Sequence, residues 1–148
     1  MLASLIYGIS QEKIAADRLR DLGLIVDEIG GYAHGADLIA RNADGALASI
    51  EVKASRPRNI RKHLDGSTAG GFQFLLYKAD RSAEIAEDFI VLLCDDPQRA
   101  PVWYVIPRDD VKHLNCITLM GDPETYSGKF ARYRDRFDLI TNFLDTME

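Results

Sequence analysis

Apolar residues recur along this chain in two rhythms. Over residues 10–22, Ile14, Ala15, Leu19 and Leu22 fall on one helical stripe, with Ser10 able to cap the start and Gly23 placed to end it. Residues 24–29, 36–41 and 46–54 then read as strands, with Gly30, Gly31 and Gly35 marking a connection before the second. The polar stretch 56–71, with its Pro and Gly, predicts an irregular mobile loop. Residues 72–77 look extended and 82–88 form a short helix or turn. Residues 89–94 (FIVLLC) are the continuous apolar run of a buried strand, and 102–106 form another. Towards the end, Tyr126, Phe130, Tyr133, Phe137, Ile140 and Phe143 or Leu144 are spaced as on a helix, which predicts a C-terminal helix over 122–148. The order of elements predicts an α/β fold, a central mixed sheet flanked by helices. No repeat or linker divides it, so residues 1–148 are expected to form a single domain.

Within this pattern Asp37, Glu51 and Lys53 stand out, charged residues in strands whose neighbours Leu38, Ile39, Ile50 and Val52 are apolar on both faces. The turn between the two strands fixes their relation. Asn42-Ala43-Asp44-Gly45 suits a three-residue hairpin loop ending in a left-handed glycine, which pairs Asn42 with Ala46 and, counting outward, sets Asp37 opposite Glu51. Directly opposed residues share a face about 5 Å apart at Cβ, and Lys53, two residues beyond Glu51, projects from the same face. A two-residue loop would oppose Asp37 to Ile50 and scatter the group. Two carboxylates so placed repel unless a cation lies between them, and Mg²⁺ prefers one or two carboxylates completed by water and phosphate oxygens. With an adjacent amine to orient water and stabilise charge on phosphorus, the trio suits metal-dependent phosphodiester hydrolysis.

Charge and composition narrow the setting. A chain 47% hydrophobic and 28% charged is globular, and a net charge of −5 argues against coating nucleic acid through bulk electrostatics. Locally the balance reverses: KASRPRNIRKH, residues 53–63, gathers Lys53, Arg56, Arg58, Arg61, Lys62 and His63 with no acid among them, a composition able to track phosphates. No apolar run approaches the roughly 20 residues that cross a bilayer. Cys94 and Cys116 offer neither a disulfide framework nor a CxxC pattern; both are expected as small buried hydrophobes, which fits a reducing cytoplasm. His34, His63 and His113 match no metal-ligand spacing.

Asp37 followed by Glu51-Val52-Lys53 resembles the PD-(D/E)xK motif of the restriction-endonuclease-like nuclease superfamily, with Ala36 standing where the motif has its proline. The helix and strand SQEKIAADRLRDLGLIV resemble the opening of the fold in Holliday junction resolvases and related small endonucleases. GFQFLLYKADRSAEIAEDFIVLLCDD and PVWYVIPRDDV resemble the second half of its core, so that the likeness runs over about residues 11–111. The resemblance implies a restriction-endonuclease-like core and a metal-dependent endodeoxyribonuclease, with Mg²⁺ held by Asp37, Glu51 and the backbone carbonyl of Val52, Mn²⁺ as a substitute, and Lys53 positioning water. It also makes Glu12 a further ligand on the first helix, where by itself it reads as a solvated first-turn glutamate favoured by the helix dipole. Gln73 matches a polar position near the metal in some relatives. DNA phosphates would meet Arg56, Arg58, Arg61, Lys62, Lys78 or Arg81, and cutting a duplex at two points favours a two-fold homodimer. The alternative is the same fold without activity, serving as a protein- or nucleic-acid-binding module.

Overall fold

The computed structural model describes residues 2–29, 37–62, 64–66, 68–76 and 87–146, and for residues 2–9, 61, 62 and 68 the backbone alone. The chain opens with helix α1 (Leu2–Arg20) and continues through strands β1 (Ile25–Glu28), β2 (Leu38–Arg41), β3 (Leu47–Ser55), β4 (Arg58–Lys62), β5 (Thr68–Leu75), β6 (Phe89–Cys94), β7 (Val102–Pro107) and β8 (Cys116–Met120). It closes with helix α2 (Asp138–Thr146). Among the described residues two sheets result, one of five strands in the order β1-β2-β3-β6-β7 and one of three in the order β4-β5-β8. In the larger sheet β3 runs parallel to β6 and every other pair is antiparallel, so the expected mixed α/β fold with a central mixed sheet flanked by helices is the one observed.

β3 and β6 are the middle of the molecule, and both faces of the large sheet are covered. On one face Leu38, Ala40, Ala48, Ile50, Val52, Phe89, Val91 and Leu93 meet Ala15, Ala16 and Leu19 of α1 and Ile140 and Leu144 of α2. On the other, Ile90, Leu92, Tyr104 and Ile106 meet Phe72, Phe74, Ile117 and Leu119 of the small sheet. Side chains of a strand alternate between faces, so Glu51 and Lys53 share the second face with Ser49 and Ser55 of the same strand, while Asp37 stands just before β2.

Several sequence expectations need correction. α1 begins at Leu2 rather than Ser10, which lies inside it, and its buried stripe is Ala15, Ala16 and Leu19, while Ile14 and Leu22 are exposed; small residues face the sheet because they let helix and strands approach closely. Gly23 does end the helical segment, at φ 89°, with its N–H on the carbonyl of Arg20. The stretch 56–71 is not an irregular loop: β4 pairs with β5 from Arg58↔Gly71 to Lys62↔Thr68, with a register shift between Asn59 and Arg61. Gly71 serves strand packing, since a Cβ there would stand 2.3 Å from the carbonyl oxygen of Leu119. The helix expected over 122–148 is confined to Asp138–Thr146, preceded by a single 3₁₀ turn at Ala131–Tyr133. Phe130 and Tyr133 sit in the core of the small-sheet face and Phe137 in that of the helix face, so the helical spacing reflects two separate packing regions. Cys94 is buried as expected, whereas Cys116 is exposed. The expected turn at 82–86 lies outside the described residues.

Candidate active site

The hairpin between β2 and β3 has the turn its sequence predicts. Gly45 takes φ 89°, the Asn42 N–H donates to the Ala46 carbonyl at 3.2 Å and the Gly45 N–H to the Asn42 carbonyl at 3.1 Å. The Asn42 Oδ1 accepts from both Asp44 N–H (3.1 Å) and Ala46 N–H (3.0 Å), the local bonding that makes asparagine favourable there. The ladder that follows runs from Arg41↔Leu47 to Leu38↔Ile50, and Asp37 lies just beyond it, its N–H donating to the Ile50 carbonyl at 3.1 Å. The Asp37 Oδ2 accepts the Val52 N–H at 2.8 Å.

Three of the four predicted charged groups lie on β2 and β3 or beside them, and the fourth reaches them from α1. Lys53 Nζ stands 3.0 Å from Glu51 Oε1, while Glu51, only 7% exposed, keeps Oε2 buried with no hydrogen-bond partner among the described residues. Burial drives the Glu51 pKa up; the charge and hydrogen bond of Lys53 oppose it, and the carboxyl of Glu87 adds to the rise. Glu12 precedes Ala16 by one helical turn, which places it towards the sheet. Its pKa is pushed up to about 7, first by burial, then by the charges of Asp37 and Glu28 and by a hydrogen bond with Asp37. The pairs Glu12 with Asp37 and Glu51 with Lys53 are thus joined through the bond from Val52 to Asp37.

Other predicted residues fare differently. Gln73 is half-buried on β5, opposite Thr118 and on the reverse face from Phe72 and Phe74. Arg56 is exposed and pairs with Asp95 at 3.8 Å; Arg58 is exposed on β4. The side chains of Arg61 and Lys62, and the whole of Lys78, Arg81, His34 and His63, lie outside the described residues. His113 is exposed.

Glu87 is a site residue that the sequence pattern does not single out. It is 2% exposed, lies at the bend before β6, and adds to the rise in the Glu51 pKa. A lone glutamate at the entrance to an apolar strand carries no periodic signal; the one clue is an acid pair, Glu87-Asp88, directly abutting a buried run.

Among the described residues no group of three or more His, Cys, Asp or Glu side chains is arranged to hold a metal ion as it stands. Magnesium does not require such a cage, since it binds through one or two carboxylates and keeps water and phosphate oxygens. Asp37, bonded to the Val52 N–H, and Glu51, with a buried oxygen lacking a hydrogen-bond partner among the described residues, are a donor set of that kind.

Comparison with protein-family models and with curated proteins gives no match. Among solved structures, a bacterial homing endonuclease, I-Ssp6803I, is similar over 93% of this chain and 91% of its own, with a TM-score of 0.67 at 21% identity. The chain therefore shares the fold of a nuclease.

Proposed function

We propose that this protein is a metal-dependent endonuclease that hydrolyses phosphodiester bonds in DNA, with a site of the PD-(D/E)xK type. The observation that carries the reading is Asp37 bonded to the backbone N–H between Glu51 and Lys53, with Lys53 against Glu51 and Glu12 acting on Asp37; the shared fold with a homing endonuclease supports it. Asp37 and Glu51 would hold Mg²⁺ or Mn²⁺ with the Val52 carbonyl, and Glu12 in support; when bound, the cation supplies Lewis-acid polarisation of the phosphate and a more acidic coordinated water.

The chain's own groups do the rest. Lys53, released from Glu51 when that carboxylate is engaged, orients the attacking water and meets charge that develops on the phosphate oxygens. Glu12 gives up its proton to serve at the site. Arg56, Arg58, Arg61, Lys62 and Lys78 contact backbone phosphates, and Gln73 a group near the site. A two-fold homodimer would present two such sites to a duplex.

The test is cleavage of labelled linear, single-stranded and four-way-junction DNA with Mg²⁺ or Mn²⁺, native protein against Lys53→Ala. Cation-dependent cutting lost in the variant supports the reading and names the substrate class. If the native protein cuts no substrate and gains no thermal stability from either cation, the fold serves as a binding module instead.

A further inference from the structure

From Lys53 to Lys78 the chain carries six Lys and Arg residues against a single acid, Asp65, in a protein whose net charge is −5. The middle of this stretch is the β4–β5 hairpin, and its far end stands clear of the rest of the fold. β8 pairs with β5 from Gly71 to Leu75, and its last bond to that strand runs from the Gly121 N–H to the Gly70 carbonyl at 2.8 Å. Beyond that point β4 and β5 continue as a ribbon with no third strand among the described residues. Leu64, near the tip, is fully exposed.

The register sorts the residues of this ribbon. Asn59 is opposite Gly70 and Lys62 opposite Thr68, while Arg58 is opposite Gly71 and Arg61 opposite Ala69. Opposed residues share a face, as do residues two apart on β5. The register shift between Asn59 and Arg61 thus sets Arg58 and Arg61 on one face and leaves Asn59 and Lys62 on the other, where an unshifted strand would have put Asn59 with Arg61. Asn59 is exposed, and the residue opposite it has no side chain. Packing does not demand that glycine: a Cβ on Gly70 would meet only the Arg58 carbonyl oxygen at 3.5 Å, an ordinary contact, whereas on Gly71 it would collide with backbone. A strand glycine free of such a demand suits the close approach of a ligand.

We propose that the β4–β5 ribbon is an arm that enters the major groove of duplex DNA, with Asn59 reading a base edge and the arginine face lying along the phosphates. A two-stranded ribbon fits a major groove about 12 Å wide, and an asparagine amide matches the donor and acceptor that adenine presents there. The basic balance of the stretch complements the phosphates on either side. The inference rests on the reading of the protein as a DNA endonuclease and adds that its substrate is a duplex of preferred sequence, with an A·T pair where Asn59 meets it.

The test is retention of duplexes with a randomised centre by the full chain, without divalent cation so that none is cut, in the native protein, Asn59→Ala, Asn59→Gln and Gly70→Val. The native protein should enrich a sequence that contains an A·T pair, and Asn59→Ala should lose the preference at that pair by about tenfold or more. Its affinity for unrelated duplexes and its salt slope should stay as they were, because a neutral side chain releases no counterions. Asn59→Gln, which keeps the amide, should regain part of the preference. Gly70→Val should lower affinity for the preferred sequence while melting close to the native protein, since the fold has room for the side chain. Duplex binding without sequence preference, a preference unchanged in Asn59→Ala, or a loss equal on all sequences overturns the arm and leaves the endonuclease reading standing. A native protein that retains no duplex removes both.

Discussion

The carboxylate of Asp37 is held by the backbone of Val52: its Oδ2 accepts the Val52 N–H at 2.8 Å. The bond holds an end-of-strand aspartate to the backbone between Glu51 and Lys53, and it satisfies an N–H at a residue only 8% exposed. Asp37→Asn keeps an oxygen that can accept this bond, so stability should change by less than about 1 kcal/mol, while cleavage falls at least about a hundredfold for want of an anionic ligand. Asp37→Ala leaves the Val52 N–H without its acceptor and should cost about 1–3 kcal/mol as well. Denaturant unfolding of both variants beside cleavage rates checks the split; equal stability losses in the two would show that the bond has no structural weight.

Glu12 gives a prediction in pH. Its folded pKa of about 7 lies above the 4.5 of an ordinary glutamate, so the folded protein binds the extra proton more tightly than the unfolded one. The associated stability is fully present below about 4.5 and is lost as pH rises through about 7. Because Glu12 is partly solvated, screening reduces the effect to the order of 1 kcal/mol. Without divalent cation, then, thermal stability should decline from about pH 5 to about pH 8, and Glu12→Gln should flatten that decline. Cleavage should rise over the same interval, since a ligand must shed its proton. An identical stability profile in Glu12→Gln would mean that the proton sits elsewhere.

The parts of this architecture legible in the sequence were those dictated locally. Asn42 to Gly45 specify their turn through one side chain and one left-handed glycine, and that turn sets the register from Arg41↔Leu47 to Leu38↔Ile50. FIVLLC announces β6 at its observed limits, because a strand buried on both faces leaves an unbroken apolar run. What failed was set at long range. β4 is polar and becomes a strand only by pairing with β5, and β5 carries a glycine needed against Leu119. Phe130, Tyr133 and Phe137 keep a helical spacing while packing into two different clusters. The parallel pairing of β6 with β3, which sets Ile90 beside Glu51, is likewise a connection that spacing does not reveal.

Gly71 tests the packing of the small sheet. A Cβ there would stand 2.3 Å from the Leu119 carbonyl oxygen and 3.2 Å from Ile60 Cδ1, and the nearer neighbour is backbone, which cannot turn aside. Gly71→Ala should destabilise the protein by about 1–3 kcal/mol, a fall in Tm of several degrees, whereas Gly70→Ala, with only the Arg58 carbonyl oxygen at 3.5 Å, should be milder. A thermal melt of each is sufficient. Indistinguishable melting temperatures would mean that β5 and β8 separate at little cost.

The basic strand β4 carries the last prediction. Arg56 lies 3.8 Å from Asp95 with most of its side chain in solvent, a pairing worth too little to keep it from a phosphate, and Arg58 is exposed at the start of β4, just beyond the end of β3. If both meet phosphates, Arg56→Ala with Arg58→Ala should weaken DNA binding on every sequence alike and flatten the plot of log affinity against log salt by about 0.9 for each duplex phosphate no longer neutralised. Turnover at saturating DNA should change little, because neither side chain belongs to the carboxylate and lysine cluster. Binding measured over a range of salt concentrations separates this from a general loss of fold, which would lower affinity and turnover together. An unchanged salt slope would move the DNA path away from β4 and onto another face of the protein.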